Sequence, residues 1–184
     1  SGEKEMVSVD EGIRFDASLE SLSGLKTLSE KGVLTAGSSS QICDGAAAVM
    51  IVNDAGLKKL GINPRAKIVS LALAGDDPVI MLTGPIPASK TVLDKANLSI
   101  NDIDIYEVNE AFAPVPLAWA HELKANKEKL NVNGGAMALG HPLGGTGAKL
   151  MTTLLHELER REGKYGLQAI CEGGGTANAM IIER

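Results

Sequence analysis

The order of apolar and polar positions divides the chain into strands and helices that alternate. Apolar residues at helical spacing predict helices at 55–60, 85–96, 114–123 and 146–161. Because the two kinds of element alternate, we expect an α/β fold whose mixed sheet carries helices on both faces. Short apolar runs bounded by turn residues predict its strands at 46–52, 66–74, 103–108, 130–133, 167–171 and 177–183.

Composition and charge narrow the possible functions. The 184 residues carry a formal charge of −5, which argues against nucleic-acid binding because that function normally needs a basic face. No apolar run approaches the ~20 residues that cross a bilayer, so we expect no membrane span. The two cysteines, Cys43 and Cys171, do not make a disulfide framework, which favours a reducing compartment.

The stretch 131–147, NVNGGAMALGHPLGGTG, carries the strongest chemical signal. Six glycines stand in these seventeen residues, around His141 and Pro142. Such a cluster indicates backbone that approaches a ligand closely or takes positive φ. His141 precedes the predicted helix 146–161, whose N-terminus favours an anion or a developing negative charge. We expect His141 to donate to an oxyanion or to move a proton, and a structural histidine on a turn is the alternative.

Cys171 ends a predicted strand and is followed by Gly173, Gly174 and Gly175. A buried cysteine at a strand end is commonly a small hydrophobic residue. Backbone N–H groups that open out after the strand would instead stabilise a thiolate or a substrate oxyanion. The residue types alone leave both interpretations open.

Asn109 and Glu110 stand where a predicted strand ends and the next helix approaches. Asn109 is either a simple N-cap or an amide that orients a water or a neighbouring histidine. Ligands of α/β sheets bind outside the carboxyl ends of strands. Because Asn109, His141 and Cys171 all fall at or just after such ends, we expect the three to form one site.

Two further features have simple alternatives. The loop 36–40, which contains three serines, is either a plain turn or a place where an extended ligand lies against the backbone. His121 and His156 lie on predicted helices among charged residues, and we expect both at the surface. The histidines and cysteines lack the spacing of metal ligands, so no metal site is expected.

Three segments resemble, in the right order, the C-terminal motifs of the thiolases, the acetyl-CoA C-acyltransferase family. They are 109–113 (NEAFA), 131–147 and 171–175 (CEGGG). The flanking segment 83–88 (TGPIPA) agrees with the same family. The resemblance covers essentially the whole chain and corresponds to the second half of a typical thiolase.

By this resemblance the chain has three parts. Residues 1–32 would be the end of a loop domain that covers CoA, residues 33–62 the end of the N-terminal core domain, and residues 63–184 the C-terminal thiolase domain. The implied architecture is a thiolase-like C-terminal core domain, which is half of a five-layered αβαβα fold.

The resemblance implies acyl transfer between CoA and a 3-ketoacyl-CoA, by thiolytic cleavage or Claisen condensation through an acyl-cysteine. His141 would activate the nucleophilic thiol and contribute to an oxyanion hole for the thioester enolate, which a water held by Asn109 completes. Cys171 would be the acid and base at the substrate α-carbon, and the N–H of Gly173 would serve a second oxyanion hole. CoA is implied as a substrate, and no cofactor is implied.

Further residues match CoA contacts of the family. Ser40 and Ala36 would lie beside the pantetheine arm, and Phe112 would line its tunnel. Arg14 and Ser21 match contacts in the covering loop. These roles rest on the resemblance alone.

The acyl-accepting cysteine of the family belongs to its N-terminal half, and Cys43 matches a structural site. We therefore expect the chain to be inactive without an N-terminal half, supplied as a separate chain, and to form a dimer or tetramer of thiolase units, homo- or hetero-oligomeric. The implied location is the bacterial cytoplasm, or the mitochondrion or peroxisome of a eukaryote.

Two other functions remain to be weighed. One is a non-catalytic, thiolase-like subunit that binds lipid or CoA. Its site need not keep Asn109, His141 and Cys171 together. The other is a ketoacyl synthase, which shares the fold but uses a second histidine where this chain has Cys171.

Overall fold

The computed structural model describes residues 2, 4 and 6–184; residues 1, 3 and 5, at the start of the predicted segment 1–32, lie outside the described residues. Its strands are β1 (Lys67–Gly75), β2 (Ile105–Val108), β3 (Tyr165–Cys171) and β4 (Thr176–Glu183). Its α-helices are α1 (Leu19–Ser23), α2 (Asp54–Leu60), α3 (Pro85–Ala96), α4 (Pro114–Leu123), α5 (Ala136–Leu139) and α6 (Thr146–Arg161). Single 3-10 turns occupy Ala36–Ser38, Ile100–Asp102, Lys127–Lys129, Leu143–Gly145 and Gly173–Gly175.

The four strands form one sheet in the order β1-β4-β3-β2. Strand β4 runs antiparallel to both β1 and β3, whereas β2 and β3 are parallel. The register pairs Val108 with Ala169 and Cys171 with Ala177. The mixed sheet expected from the sequence is confirmed.

Helices α3 and α4 cover one face of the sheet with an apolar cluster. Trp119 of α4 is fully buried there, and its ring centroid lies 5.3 Å from that of Tyr106 on β2. The indole Nε1 donates to Ser89 Oγ on α3 at 2.8 Å, so the one polar atom of the tryptophan is paired. This face is packed like a conventional protein core.

Helix α6 covers the opposite face of β2 and β3. Leu154 and Leu158 pack there with Ile105 and Ile182 in a second, smaller apolar cluster. The sheet therefore has helices on both faces, as expected. Nearer the carboxyl ends of the strands, the α6 face becomes polar.

The helix bounds follow local signals in the sequence. α3 and α4 begin at Pro85 and Pro114, because proline fits the first helical position. α6 ends with Arg160 and Arg161, where cations offset the helix dipole. The predicted helices 85–96 and 146–161 are confirmed with these bounds. No helix in the described part of the chain combines the length and apolar character needed to cross a bilayer.

Two predicted strands are wrong. Residues 46–52 form no strand, because none of the described strands pairs with the backbone of this segment. The side chain of Ile51 in this segment is 70% exposed. Residues 130–133 make only an isolated bridge between Leu130 and Tyr106. There the side chain of Asn131 pairs with the N–H and C=O of Val108, each at 2.9 Å, and takes the place of the next strand residue.

Candidate active site

The site begins at the carboxyl ends of two parallel strands. Asn109 follows β2, and its N–H donates to Ala169 O of β3 at 3.0 Å, so the ladder continues one residue past β2. Cys171 is the last residue of β3. Since neighbouring strands lie ~4.8 Å apart, Asn109 and Cys171 reach the same edge of the sheet. Ligands of α/β sheets bind at this kind of edge.

Asn109 and His141 are in direct contact. The Asn109 Nδ2 lies 3.3 Å from His141 Nε2, and the two residues are 1% and 9% exposed. Asn109 does not cap a helix, because α4 begins only at Pro114 and has no side-chain cap. The capping interpretation is therefore wrong, and the amide holds the neighbouring histidine instead.

Thr146, the first residue of α6, fixes the tautomer of the His141 ring. Its Oγ lies 2.6 Å from His141 Nδ1 and 3.0 Å from the carbonyl oxygen of Pro142. The hydroxyl has one hydrogen, which it donates to that carbonyl, so it accepts the hydrogen of Nδ1. Nε2 is then unprotonated and accepts from the Asn109 amide. The hydrogen-bond network thus assigns the Nδ1–H tautomer to His141.

The surroundings keep His141 neutral. Burial lowers the pKa of the ring, and the positive charge of Lys149 lowers that pKa further. The Lys149 ammonium donates to Gly140 O at 2.6 Å, in the loop just before the histidine. A neutral ring whose Nε2 is unprotonated can accept a proton from a neighbouring acid.

The histidine loop packs against the segment around Cys43. The His141 N–H donates to Gln41 O at 2.8 Å. Gly140 has φ of 84°, in the region that favours glycine, and a Cβ there would collide with the Cys43 sulfur. Cys43 therefore lies beside the glycine that precedes His141.

Cys171 is 7% exposed and packs in the apolar cluster under α3 and α4. Burial raises the pKa of its thiol, a backbone hydrogen bond lowers it, and the charge of Glu172 raises it. The net shift is upward, so the thiol stays protonated at neutral pH. Within the described residues, no side-chain hydrogen bond joins Cys171 to Asn109 or His141. The structure places the three residues at one edge and joins only two of them.

The turn after Cys171 leaves backbone groups accessible. Gly173 is exposed, and a Cβ on it would meet no described atom within 4 Å. The Glu172 N–H donates to Thr176 O at 2.9 Å and closes the turn, and the Gly175 carbonyl accepts from the Asp76 N–H at 2.7 Å. The open space at Gly173 suits an N–H that donates to a ligand.

Ser40 and Phe112, two of the expected CoA contacts, lie together. Ser39 forms an antiparallel bridge with Phe112, and the Ser40 N–H donates to Ala111 O at 3.1 Å. This bridge attaches the serine loop to the segment after β2. Ala36, a third expected contact, begins the 3-10 turn of the same loop and is exposed.

Arg14 and Ser21, the other two expected contacts, are exposed. The Ser21 hydroxyl donates to Ser18 O at 2.9 Å in the capping box of α1. Leu22 and Leu25 of this segment approach Gly37, so α1 lies beside the serine loop. The roles of Arg14 and Ser21 toward CoA stay predictions.

Sequence reasoning missed several polar residues that support the site. Thr146 is one of them, and only its place at the start of α6, near the histidine loop, points to its role. Glu110 is another, and it accepts from Asn131 Nδ2 at 2.9 Å and from the Met137 N–H at 3.1 Å. These contacts tie the segment after β2 to the glycine-rich stretch. Buried Glu107 was also missed, because its place in a strand-like run suggested nothing more than core.

The remaining histidines lie outside the site. His121 on α4 and His156 on α6 are both exposed, as expected. Across the residues that the structure describes, no three His, Cys, Asp or Glu side chains cluster as metal ligands would.

The fold is that of the thiolases. The structure of human mitochondrial 3-ketoacyl-CoA thiolase superposes with a TM-score of 0.91 and 46% identity, over 99% of this chain and 46% of that one. The same human enzyme has been solved in complex with CoA, with a TM-score of 0.87 over 96% of this chain. The sequence matches the families Thiolase, C-terminal domain, at residues 62–184 and Thiolase, N-terminal domain, at residues 1–55. The chain belongs to the thiolase family.

Two curated relatives are each about twice as long as this chain. A steroid 3-ketoacyl-CoA thiolase of Mycobacterium tuberculosis is 59% identical over 96% of this chain and 43% of its own length. An acetyl-CoA acetyltransferase of Cupriavidus necator is 46% identical over 100% of this chain and 47% of its own length. The chain thus spans about half the length of the relatives it matches.

Proposed function

We propose that this chain supplies His141, Asn109 and Cys171 to a thiolase active site that transfers an acyl group between a 3-ketoacyl-CoA and CoA. The observation that carries the proposal is the hydrogen-bond chain from Thr146 through His141 to Asn109. It leaves a neutral imidazole with its basic nitrogen at the edge of the sheet where Cys171 keeps a protonated thiol. One base and one acid at one edge suit a reaction that moves two protons.

His141 acts first. Its Nε2 takes the proton of the nucleophilic thiol, and the thiolate attacks the 3-keto carbonyl carbon. The ring then carries a hydrogen on both nitrogens. Nδ1–H stays on Thr146 Oγ, and Nε2–H donates to the thioester oxygen, on which the enolate charge develops.

Protonation of His141 also changes the hydrogen bonding of Asn109. Once Nε2 is protonated, it no longer accepts from the Asn109 amide, so that N–H is released to a water or a substrate oxygen. The amide thus completes an oxyanion hole only after the histidine has accepted a proton. A donor supplied at that moment stabilises the transition state more than the bound substrate.

Cys171 acts at the substrate α-carbon. Cleavage of the bond between C2 and C3 leaves its electron pair on the thioester enolate and the acyl group on the nucleophilic cysteine. The Cys171 thiol gives its proton to C2, which releases acetyl-CoA, and the thiolate then takes the proton of the incoming CoA thiol. That CoA sulfur attacks the acyl-cysteine, the cysteine leaves as a thiolate, and it recovers its proton from Nε2 of His141. The N–H of Gly173 is the proposed donor in the second oxyanion hole, to the oxygen of the acyl group that is transferred.

The nucleophilic thiol is proposed to come from outside these 184 residues. Cys171 already serves as acid and base, and Cys43 packs against Gly140 in the histidine loop. A groove of about 1110 Å³ separates residues 47–52 from the α6 side of the sheet, and its apolar lining suits a further domain. We propose that an N-terminal thiolase half packs there, within a longer chain or as a partner, in a dimeric or tetrameric assembly.

CoA is proposed as the carrier substrate, with no further cofactor. Support comes from the serine loop, where Ser40 and Phe112 lie beside the strand that leads to Asn109. The human mitochondrial relative binds CoA in its solved complex. Ala36, Arg14 and Ser21 are proposed as contacts along the same arm.

The test is to supply the N-terminal half of the Mycobacterium tuberculosis relative and to measure thiolysis. The complex is incubated with CoA and either acetoacetyl-CoA or a steroid 3-ketoacyl-CoA, and acetyl-CoA is quantified. We expect acetyl-CoA to form and the supplied cysteine to carry an acyl group by intact mass. Preference for the steroid substrate would extend the proposal to that class.

Variants separate a catalyst from a binding subunit. His141→Ala and Cys171→Ala should each lower kcat by about two orders of magnitude or more while CoA still binds. Full activity in either variant would remove that residue from the mechanism. Binding of CoA thioesters without turnover in the complex would favour the non-catalytic subunit instead.

A further inference from the structure

Unpaired buried polar atoms collect on one face of the sheet. Among the residues that the structure describes, such side-chain atoms are both carboxyl oxygens of Glu107, Oδ1 of Asn109 and Oε1 of Gln168. None of the three residues is more than 5% exposed. Buried polar atoms are nearly always paired, so several unpaired ones in one place require an explanation.

These three side chains are neighbours by register. Glu107 of β2 pairs with Gln168 of β3. Asn109 lies two positions after Glu107, so the two side chains leave the strand on the same side. Helix α6 covers them, because Ile105 packs on α6 from this side and Gly147 in the first turn of α6 approaches the Gln168 amide.

An ionised Glu107 could not donate to the unpaired oxygens of Asn109 and Gln168. The four unpaired atoms would then all be acceptors, whereas a neutral carboxylic acid adds one O–H donor. The charged groups near the carboxyl are Glu110 after β2, and Lys149 and Glu157 on α6. His141 lies beyond Asn109 and is neutral.

The electrostatic balance favours the neutral acid. Burial raises the pKa of Glu107 to about 8, with Glu110 and Glu157 also raising it and Lys149 lowering it. At neutral pH the carboxyl therefore keeps a hydrogen that it can donate.

We propose that Glu107 is a positioning residue, which as a neutral acid donates its hydrogen to Oδ1 of Asn109 and so holds the Asn109 Nδ2 against Nε2 of His141. The catalytic consequence of this contact rests on the function proposed above. The Gln168 amide, turned by 180°, donates to the second Glu107 oxygen. Its own oxygen then faces the first turn of α6, where helix N–H groups lack intrahelical acceptors.

The first experiment tests the contact between Glu107 and Asn109 and does not depend on enzyme activity. The chain is labelled with ¹⁵N at its three histidines, His121, His141 and His156, and the ring shifts are followed from about pH 6 to 10. We expect the His141 shifts to change as Glu107 ionises, and Glu107→Gln to abolish that change. The exposed His121 and His156 are internal controls. An unchanged His141 profile in Glu107→Gln would overturn the proposal.

The second experiment uses the complex assembled for thiolysis. Glu107→Gln keeps a donor and should keep most of the activity at pH 7, and its kcat should change less than that of the wild type at alkaline pH. Glu107→Ala should lose about tenfold or more in kcat. Glu122→Gln, on the exposed side of α4, is the matched control. Equal losses in the Gln and Ala variants would overturn the proposal. If the wild-type complex lacks activity, the proposed function fails and the histidine titration still decides the role of Glu107.

Discussion

The two faces of the sheet are built from different kinds of residue. Under α3 and α4, Trp119 and Tyr106 are buried in an apolar cluster, and the tryptophan N–H has a partner. Under the first turn of α6, Glu107, Asn109 and Gln168 are equally buried but hold unpaired oxygens. Apolar burial stabilises a fold, whereas unpaired polar burial destabilises it. The difference indicates that the first face chiefly maintains the fold, with Cys171 at its edge, whereas the second face carries the buried polar groups around Asn109.

The comparison predicts its largest effect on stability at Trp119. Trp119→Ala removes a fully buried ring and leaves the Ser89 hydroxyl without its donor. We expect the free energy of unfolding in urea to fall by about 3 to 5 kcal/mol. Trp119→Phe keeps most of the ring and should cost clearly less. A loss in Trp119→Ala below about 1 kcal/mol would contradict the assignment of stability to this face.

Glu107 should lower the free energy of unfolding as pH rises. Its pKa rises from 4.5 to about 8 in the folded protein, chiefly through burial. Between these values the folded state holds a proton that the unfolded state has lost, so stability falls with increasing pH. Measured by urea unfolding, Glu107→Gln should match the wild type near pH 4.5 and exceed it by roughly 2 to 4 kcal/mol at pH 9.

Glu157 is the matched comparison, because it is a buried carboxyl of α6 that has hydrogen-bond partners. Burial raises its pKa, but hydrogen bonds from Arg160, Asn133 and Arg161 outweigh burial and bring it from 4.5 to about 2. Its stabilisation is therefore present above pH 4.5 and is lost as pH falls through about 2. Glu157→Gln should be less stable than the wild type at pH 7. The difference in stability between variant and wild type should rise with pH for Glu107→Gln and fall with pH for Glu157→Gln. A change in the same direction for both would contradict the distinction between the two buried carboxyls.

Thr146 tests whether the tautomer of His141 matters. Thr146→Val keeps the shape of the side chain but removes the acceptor for Nδ1–H, so the ring is free to take the other tautomer. We expect about 10- to 100-fold loss of kcat/KM in the assembled complex, and a ¹⁵N spectrum with mixed tautomers. Thr146→Ser keeps the hydroxyl and should keep the spectrum. A single Nδ1–H tautomer in Thr146→Val would show that other contacts set it.

How far the sequence predicts this structure depends on where the stabilising partners lie. Helices 85–96 and 146–161 were predicted with their bounds because spacing, prolines and terminal charges all lie within each helix. The strand predicted at 46–52 failed because strand formation depends on a neighbouring backbone, which is set by tertiary structure.

The site was predicted in the same uneven way. The motif residues at the strand ends could be named from their glycine-rich surroundings, and the contact of Asn109 with His141 agrees with that expectation. The roles of Thr146 and Glu107 could not be found, since each depends on an atom that only folding brings near. Local chemistry was readable from the residues, whereas hydrogen-bond partners across elements were not.

The smallest expected effect concerns the two hydrogen bonds by which Glu110 joins the segment after β2 to the glycine-rich stretch. Gly135→Ala would place a Cβ against the Glu110 carboxyl, which must then leave the Met137 N–H and Asn131 Nδ2. Since the carboxyl is the end of a flexible side chain, the loss is that of two hydrogen bonds, about 1 to 2 kcal/mol in the free energy of unfolding. Gly144→Ala is the matched control, because a Cβ there meets nothing within 4 Å. If Gly135→Ala and Gly144→Ala have the same free energy of unfolding, the hydrogen bonds of Glu110 do not stabilise the site.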